Sequence, residues 1–205
     1  MSYQFAYRKI AQALYLSLQH EPFYTQMERS VSQDPDAGRE AMTRYFDYSM
    51  KEGRQYGELY LPDGAFYGAS IWCRPTNDAL SSKIMGEKKT FLRQNLGETC
   101  LKKYKDMVDF MSGKAENIIP AASWYLSIVG LSPQYQNRGL GGTLVKPILD
   151  ITDSFGMPSY LETFNARNKH FYQRLGYKEI ASFIEPVTNA EYWVMLREPL
   201  HFIKE

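Results

Sequence analysis

Apolar positions near the N-terminus recur at helical spacing: Ile10, Ala13, Leu14 and Leu18 share one side of "YRKIAQALYLSLQ", which predicts an amphipathic helix. "DPDAGREAMTRYFDYSMKEG" predicts a second helix, with Asp36 as its cap and Gly53 at its end. "YGELYLPDGAFYGASIWC" reads as a hairpin, two strand-like runs around the turn residues Pro62-Asp63-Gly64. From Asn77 to about Asn117 the pattern is polar and helical, with Leu80, Ile84, Phe91, Leu92, Met107, Val108 and Phe110 spaced along it. "SWYLSIVGL" is apolar on both faces, the mark of a central strand covered on two sides. A glycine loop follows, then a helix over "TLVKPILDITDSF" with Pro147 expected in or near an early turn. "PSYLETF" predicts a strand, "ARNKHFYQRLG" a helix closed by Gly176, and "YKEIASFI" and "EYWVMLREP" two last strands. Without repeats, low complexity or a linker, residues 1–205 read as one α/β domain.

Composition narrows the partners. Lys+Arg 24 against Asp+Glu 23 leaves a formal charge of +1 with no basic run, which disfavours nucleic-acid binding. Cys73 and Cys100 make no disulfide framework and read as buried small hydrophobes, and the three scattered histidines offer no metal spacing. Arg8, Lys9 and Gln12 interrupt the N-terminal apolar pattern, which reads as neither a signal peptide nor a membrane span. A reducing, cytoplasmic setting is the default expectation.

"QYQNRGLGGT", Gln134 to Thr143, carries the chemistry. A dinucleotide fingerprint starting at Gly139 would need glycine where Leu144 stands, and a P-loop would need a lysine after Gly141 or Gly142. What remains is Gln136-x-x-Gly139-x-Gly141 between a buried strand and a helix. Glycines there let successive N–H groups point into one concavity, and the helix N-terminus adds its own unpaired donors. A tight turn between strand and helix would use the same residues.

The flanking residues add a resemblance. "SIVGLSPQYQNRGLGGTLV" resembles the coenzyme A motif of GCN5-related N-acetyltransferases (GNATs), in which a strand runs through V-x-P into [QR]-x-x-G-x-[GA]. "NARNKHFYQRLGY" resembles the same superfamily's N-x-x-x-x-x-x-Y-x-x-x-G-[FY] helix. Within the superfamily, "LETFNARNKHFYQRLGY" is most similar to the puromycin N-acetyltransferase group. The likeness covers Trp124 to about Tyr177 and continues loosely to Pro199, while the first 120 residues carry no matching motif. It implies a GNAT fold: a mixed sheet of about six to seven strands flanked by helices and splayed at the cofactor strand. Residues 1–120 would then form the acceptor side and residues 121–205 the cofactor-binding half.

The resemblance also implies acetyl-CoA as cofactor and direct transfer, in a ternary complex, to the primary amine of a small molecule. A protein or peptide acceptor and a non-catalytic acyl-CoA sensor are the alternatives. Gly130 suggests a bulge or splay that frees the backbone of Val129 and Leu131 for the cofactor and for the developing oxyanion. Diphosphate contacts fall to Gln136, Asn137, Arg138, Gly139, Leu140, Gly141, Gly142 and Thr143. Asn168 and Tyr172, one helical turn apart, join the cofactor set, and Asn165 serves as helix N-cap. Tyr172 is expected to hydrogen-bond the departing sulfur rather than protonate it fully. Reference values of ~10 for a phenol and ~8.5 for a thiol make that transfer uphill. Glu162, in an otherwise apolar strand, reads as the general base, as an anchor for the acceptor's ammonium, or as the partner of an internal arginine. Trp124, Tyr125, Tyr192 and Trp193 read as core or as acceptor pocket, as do Tyr45, Tyr48, Tyr56, Tyr60 and Tyr67 in the N-terminal half. His170, two residues before Tyr172, is expected to point away from the site. The family's frequent dimerisation allows a homodimer; neither nucleic acid, metal nor membrane is expected as a partner.

Overall fold

The computed structural model describes residues 3–200. In chain order it holds α1 (Arg8–Leu18), α2 (Pro22–Val31), α3 (Pro35–Tyr56), β1 (Glu58–Tyr60), β2 (Gly68–Cys73), α4 (Asp78–Leu96), α5 (Glu98–Ala115), β3 (Trp124–Leu131), α6 (Leu140–Ser154), β4 (Ser159–Thr163), α7 (Ala166–Gln173), β5 (Lys178–Glu185) and β6 (Ala190–Arg197). The strands form one mixed sheet in the order β1-β2-β3-β4-β6-β5. Only β3 and β4 run parallel.

Two apolar layers sandwich the sheet. One joins α1, α2, α3 and α5 to Leu59, Ile71 and Ile128, around fully buried Leu14, Phe46 and Met107. The other joins Leu144, Val145, Ile148 and Leu149 of α6 to Trp72, Trp124, Leu126 and Leu161. β3 serves both because its side chains switch layers part-way. Trp72 pairs with Leu126 but Ile71 with Ile128, so Ser127 is an extra residue on β3. An extra residue re-aims everything beyond it. Leu126 therefore faces α6 and Ile128 faces α1. Gly130 follows Ile128: a Cβ there would lie 3.0 Å from Leu14 and Ser17. The bulge expected at Gly130 thus lies at Ser127, and Gly130 pairs in regular register with Ala69 so that α1 can approach the strand.

Several expected boundaries move. The cap of α3 is Asp34, whose carboxylate accepts the Asp36 N–H at 3.1 Å, with Pro35 in the first turn. That helix runs through Gly53 to Tyr56, because Gly53 is a packing glycine: a Cβ would stand 2.7 Å from Ile71 Cγ2. The polar helical stretch is two helices, split at Gly97, whose φ of 89° ends the first. Pro147 lies well inside α6 rather than in its first turn, where its ring must clear the carbonyl one turn back. The buried residues on either side, Leu144, Val145, Ile148 and Leu149, hold the helix against the sheet regardless. α2 has no counterpart in the sequence reading, although Phe23, Tyr24, Met27 and Val31 recur at helical spacing and pack on the core.

One buried ion pair ties the second layer together. Arg197 of β6 donates twice to Asp153 at the end of α6 (2.6 and 2.7 Å) and once to the Leu175 carbonyl (2.9 Å). The Leu200 N–H also donates to Asp153, at 2.9 Å. Burial alone would raise the Asp153 carboxyl, but these hydrogen bonds and the arginine's charge outweigh it and hold the group below its usual range. Its contribution to stability is therefore complete above about pH 4 and fades as pH falls through the lower native value. Replacing Arg197 with Met strands a buried carboxylate. Urea titration at pH 7 is expected to show a loss of about 3–5 kcal/mol, and a loss below about 1 kcal/mol would mean the pair is no anchor.

Candidate active site

β3 and β4 pair at only two rungs, Trp124 with Ser159 and Tyr125 with Tyr160, and then part. The Ser132 N–H donates to the Tyr67 carbonyl at 2.7 Å, so strand alternation turns the backbone of Leu131 and Val129 the other way, into the gap. A glutamine closes one of these groups: Gln136 Nε2 donates to the Leu131 carbonyl at 3.0 Å.

Between the parted strands and the N-terminus of α6 lies a cleft of about 800 Å³. Asn137 (φ 60°) and Gly139 (φ 76°) take left-handed backbone, which curls the loop so that the first N–H groups of α6 border the cleft. Gly141 does a different job. A Cβ there would stand 2.8 Å from the Phe171 ring, so its absence lets α6 and α7 close together. Lys146, Arg167 and Arg174 also line the cleft, against one carboxylate, Glu21. Orphan helix donors beside three cations make an anion site that fits a diphosphate.

On the far side of the parting, a cavity of about 360 Å³ is walled largely by tyrosines, among them Tyr24, Tyr45, Tyr56, Tyr104, Tyr125 and Tyr160. Strand parity puts Glu162 on this face beside Tyr160, while Leu161 goes to the α6 layer. Glu162 Oε2 accepts the Tyr125 hydroxyl at 3.0 Å, and Oε1 is shielded with no partner. Its partner is thus a phenol, not an arginine. Burial pushes the Glu162 carboxyl up to about 7, with the Tyr125 hydrogen bond holding it back.

The cleft and the cavity meet at Leu18, Glu21, Val129, Asn168 and Tyr172, which line both. Asn165 caps α7 by accepting the Arg167 N–H at 3.1 Å, and its Nδ2 donates to Glu21 at 3.3 Å. Tyr172 is 7% exposed, and burial, reinforced by Tyr177 and Glu21, pushes its phenol upward. It stands at the junction as a neutral hydrogen-bond donor. Burial also raises the Glu21 carboxyl, partly offset by the Asn165 hydrogen bond.

Of the residues named from sequence, Val129, Leu131, Gln136, Asn137, Gly139, Leu140, Gly141, Gly142, Asn168 and Tyr172 come together around the cleft, and Glu162 lies in the cavity beyond. Arg138 and Thr143 stand apart. The Arg138 guanidinium lies 5.6 Å from the centre of the Tyr135 ring, and the Thr143 hydroxyl donates to the Leu140 carbonyl at 2.7 Å. Trp124 is core and Tyr192 is buried with its hydroxyl unpartnered, whereas Tyr125 lines the cavity. His170 does border the cleft, which wraps around the exposed side of α7. Missed in the sequence were Glu21, Glu52, Lys88, Lys146, Arg167 and Arg174. Glu21 had one legible signal, the Glu-Pro step that opens α2.

A splayed strand pair, a helix terminus suited to an anion and an adjoining cavity of about 360 Å³ form one continuous candidate site. The sequence model of the Acetyltransferase (GNAT) family matches residues 87–177, from within α4 to the end of the α7 motif. The Schizosaccharomyces pombe protein named Uncharacterized N-acetyltransferase C550.08 is 27% identical over 174 residues, which cover 78% of this chain and 68% of that relative. Among solved structures, the histone acetyltransferase HPA2 and related acetyltransferase of Corynebacterium glutamicum superposes with a TM-score of 0.63 at 19% identity, over 98% of this chain and 96% of that one. The Drosophila melanogaster polyamine N-acetyltransferase superposes with a TM-score of 0.59 at 15% identity, over 92% of each chain. The match over residues 87–177 and the curated relative support an N-acetyltransferase, built on the fold that these solved structures share.

Glu162 supplies a test that needs no substrate. Its carboxyl is neutral in the native state up to about pH 7, but ionises near 4.3 when unfolded, so its burial costs stability that grows between those values. Glu162→Gln is expected to stabilise the protein by about 2–3 kcal/mol at pH 8 and by little at pH 4.5. Urea titrations at the two pH values check it; equal effects at both would place the carboxylate in water.

Proposed function

We propose that the protein transfers the acetyl group of acetyl-CoA directly to the primary amine of a small molecule, within one ternary complex. The observation that carries this is the junction: an anion-binding cleft and an aromatic, carboxylate-bearing cavity open onto the same tyrosine. GNAT acetyltransferases use acetyl-CoA, which supplies a thioester-activated acetyl group when bound. Gln136, Asn137, Gly139, Leu140, Gly141 and Gly142 would hold its diphosphate, with Lys146 and Arg174 adding charge, and Asn168 would contact its arm. Along the parted strand the backbone of Val129 and the Leu131 N–H lie off the ladder, able to bond an extended chain and offer a preorganised donor to developing negative charge.

Glu162 accepts the proton that the ammonium must lose, at Oε1, the oxygen without a partner. A carboxylate poised near 7 suits that task. Glu21, bordering both spaces, holds the amine at the seam. Tyr172 stays protonated throughout and gives a hydrogen bond, because its phenol is raised rather than lowered. The cavity is the size of a small-molecule site, which supports a small acceptor over a protein tail. Similarity to the puromycin N-acetyltransferase group puts aminonucleosides among the acceptors, and the composition favours a cytoplasmic setting.

Calorimetry with acetyl-CoA, followed by thiol release across a panel of amines that includes puromycin and a basic peptide, tests the reading. Tight binding with turnover of small amines is expected. Turnover of the peptide alone would move the assignment to protein acetylation, and binding without turnover to a sensor. Tyr172→Phe should lower kcat about 10- to 100-fold with KM little changed. The acid limb of kcat/KM, rising through about pH 7, should disappear in Glu162→Gln. If it persists there and disappears in Glu21→Gln, the two carboxylates exchange roles.

A further inference from the structure

The acceptor cavity carries more carboxyl groups than a single amine can match. Glu21, Glu52 and Glu162 all line it. Lys88 is the cation that stays inside; Arg74 is half-exposed and bonded to Glu58. Glu52 lies on α3 and Glu162 on β4, and Tyr104 and Tyr125 line the space with them. Glu52 Oε2 is shielded and unpartnered, as is Glu162 Oε1. Lys88 Nζ comes within 3.5 Å of Glu52 Oε2 without a hydrogen bond. The ammonium is instead committed to Ser49 Oγ (3.0 Å) and lies over the rings of Tyr45 (4.8 Å) and Tyr48 (5.0 Å).

A shielded carboxylate oxygen without a donor is costly to leave so. One such oxygen is explained by the reacting amine. The second, on another wall and another element, is not. Aromatic faces between them suit both methylene groups and cations. Three carboxyl groups against one retained lysine leave the cavity with acceptors for two cationic ends.

Building on the small-amine reading above, we propose that the acceptor is a dicationic linear amine, whose reacting end meets Glu162 while its second cation is held by Glu52. Glu52 is then a specificity-determining residue rather than a participant in proton transfer.

Thiol release compared for 1,4-diaminobutane against 1-aminobutane, and for 1,6-diaminohexane against 1-aminohexane, tests this directly. At least one diamine should exceed its matched monoamine by about tenfold or more in kcat/KM, the scale of one charge-assisted hydrogen bond. Glu52→Gln should reduce that diamine-to-monoamine ratio about tenfold. A ratio is insensitive to a general loss of folded enzyme, which lowers both rates together, and the wild-type comparison stands without the variant. Monoamines used as well as or better than diamines by the wild type would overturn the proposal while leaving the small-amine reading intact. So would a ratio unchanged in Glu52→Gln. Acetyl-CoA binding without turnover of any amine would remove both readings.

Discussion

Everything the site does depends on two parallel strands that pair for two rungs and then separate. Had β3 and β4 stayed paired beyond Tyr125 and Tyr160, the backbone of Val129 and Leu131 would be spent on the ladder, and the cleft and cavity would be sealed from each other. Unpaired backbone is tolerated only where something else satisfies it. Here Gln136 reaches back to the Leu131 carbonyl, and the remaining groups border an open cleft. The parting is held from outside. Antiparallel pairing to β2 fixes β3 on one side, pairing to β6 fixes β4 on the other, and Arg197–Asp153 locks β6 to the helix that follows the glycine loop.

The bulge at Ser127 is the second constraint. By reversing the alternation of β3, it lets one strand contribute Leu126 to the α6 layer and Ile128 to the α1 layer. Gly130 then faces α1 with no side chain, so that helix settles close enough for Leu18 and Glu21 to reach the junction. A residue on the α1–α2 connection thereby becomes part of a site otherwise built from the other end of the chain.

These constraints explain what was legible in the sequence. The glycine loop and the α7 helix could be read because their roles are local: left-handed backbone at Asn137 and Gly139, and a helix that presents Asn168 and Tyr172 one turn apart. The strands could be read because β-branched and aromatic runs between turns leave little alternative. α2 went unread although its period is present in Phe23, Tyr24, Met27 and Val31, because the helix is only ten residues long and carries no side-chain cap. Nor could the position of the bulge: Gly130 is the conspicuous residue, but the register shift is set by pairing with β2, which no local pattern encodes. The acceptor cavity was the least legible part. Its walls come from α1, α2, α3, α4, α5, α7 and three strands, and Glu52 or Lys88 on an amphipathic helix looks like any solvated charge until tertiary packing encloses it.

The placement of charge across the junction gives the arrangement its chemical sense. Lys146, Arg167 and Arg174 line the cleft, Glu52 and Glu162 line the cavity with Lys88, and Glu21 borders both, so cationic side chains prevail on one side and acidic ones on the other. Fields of opposite sign meet at the residues that line both spaces. A charged group at that point would be attracted strongly to one compartment and would compete with its ligand. A tyrosine avoids this: burial keeps its proton on, it carries no net charge toward either side, and its hydroxyl still offers a hydrogen bond that strengthens as negative charge grows beside it. The fold thus sets Tyr172 at the boundary as a neutral hydrogen-bond donor, with the raised carboxyl of Glu162 buried in the cavity on one side of it.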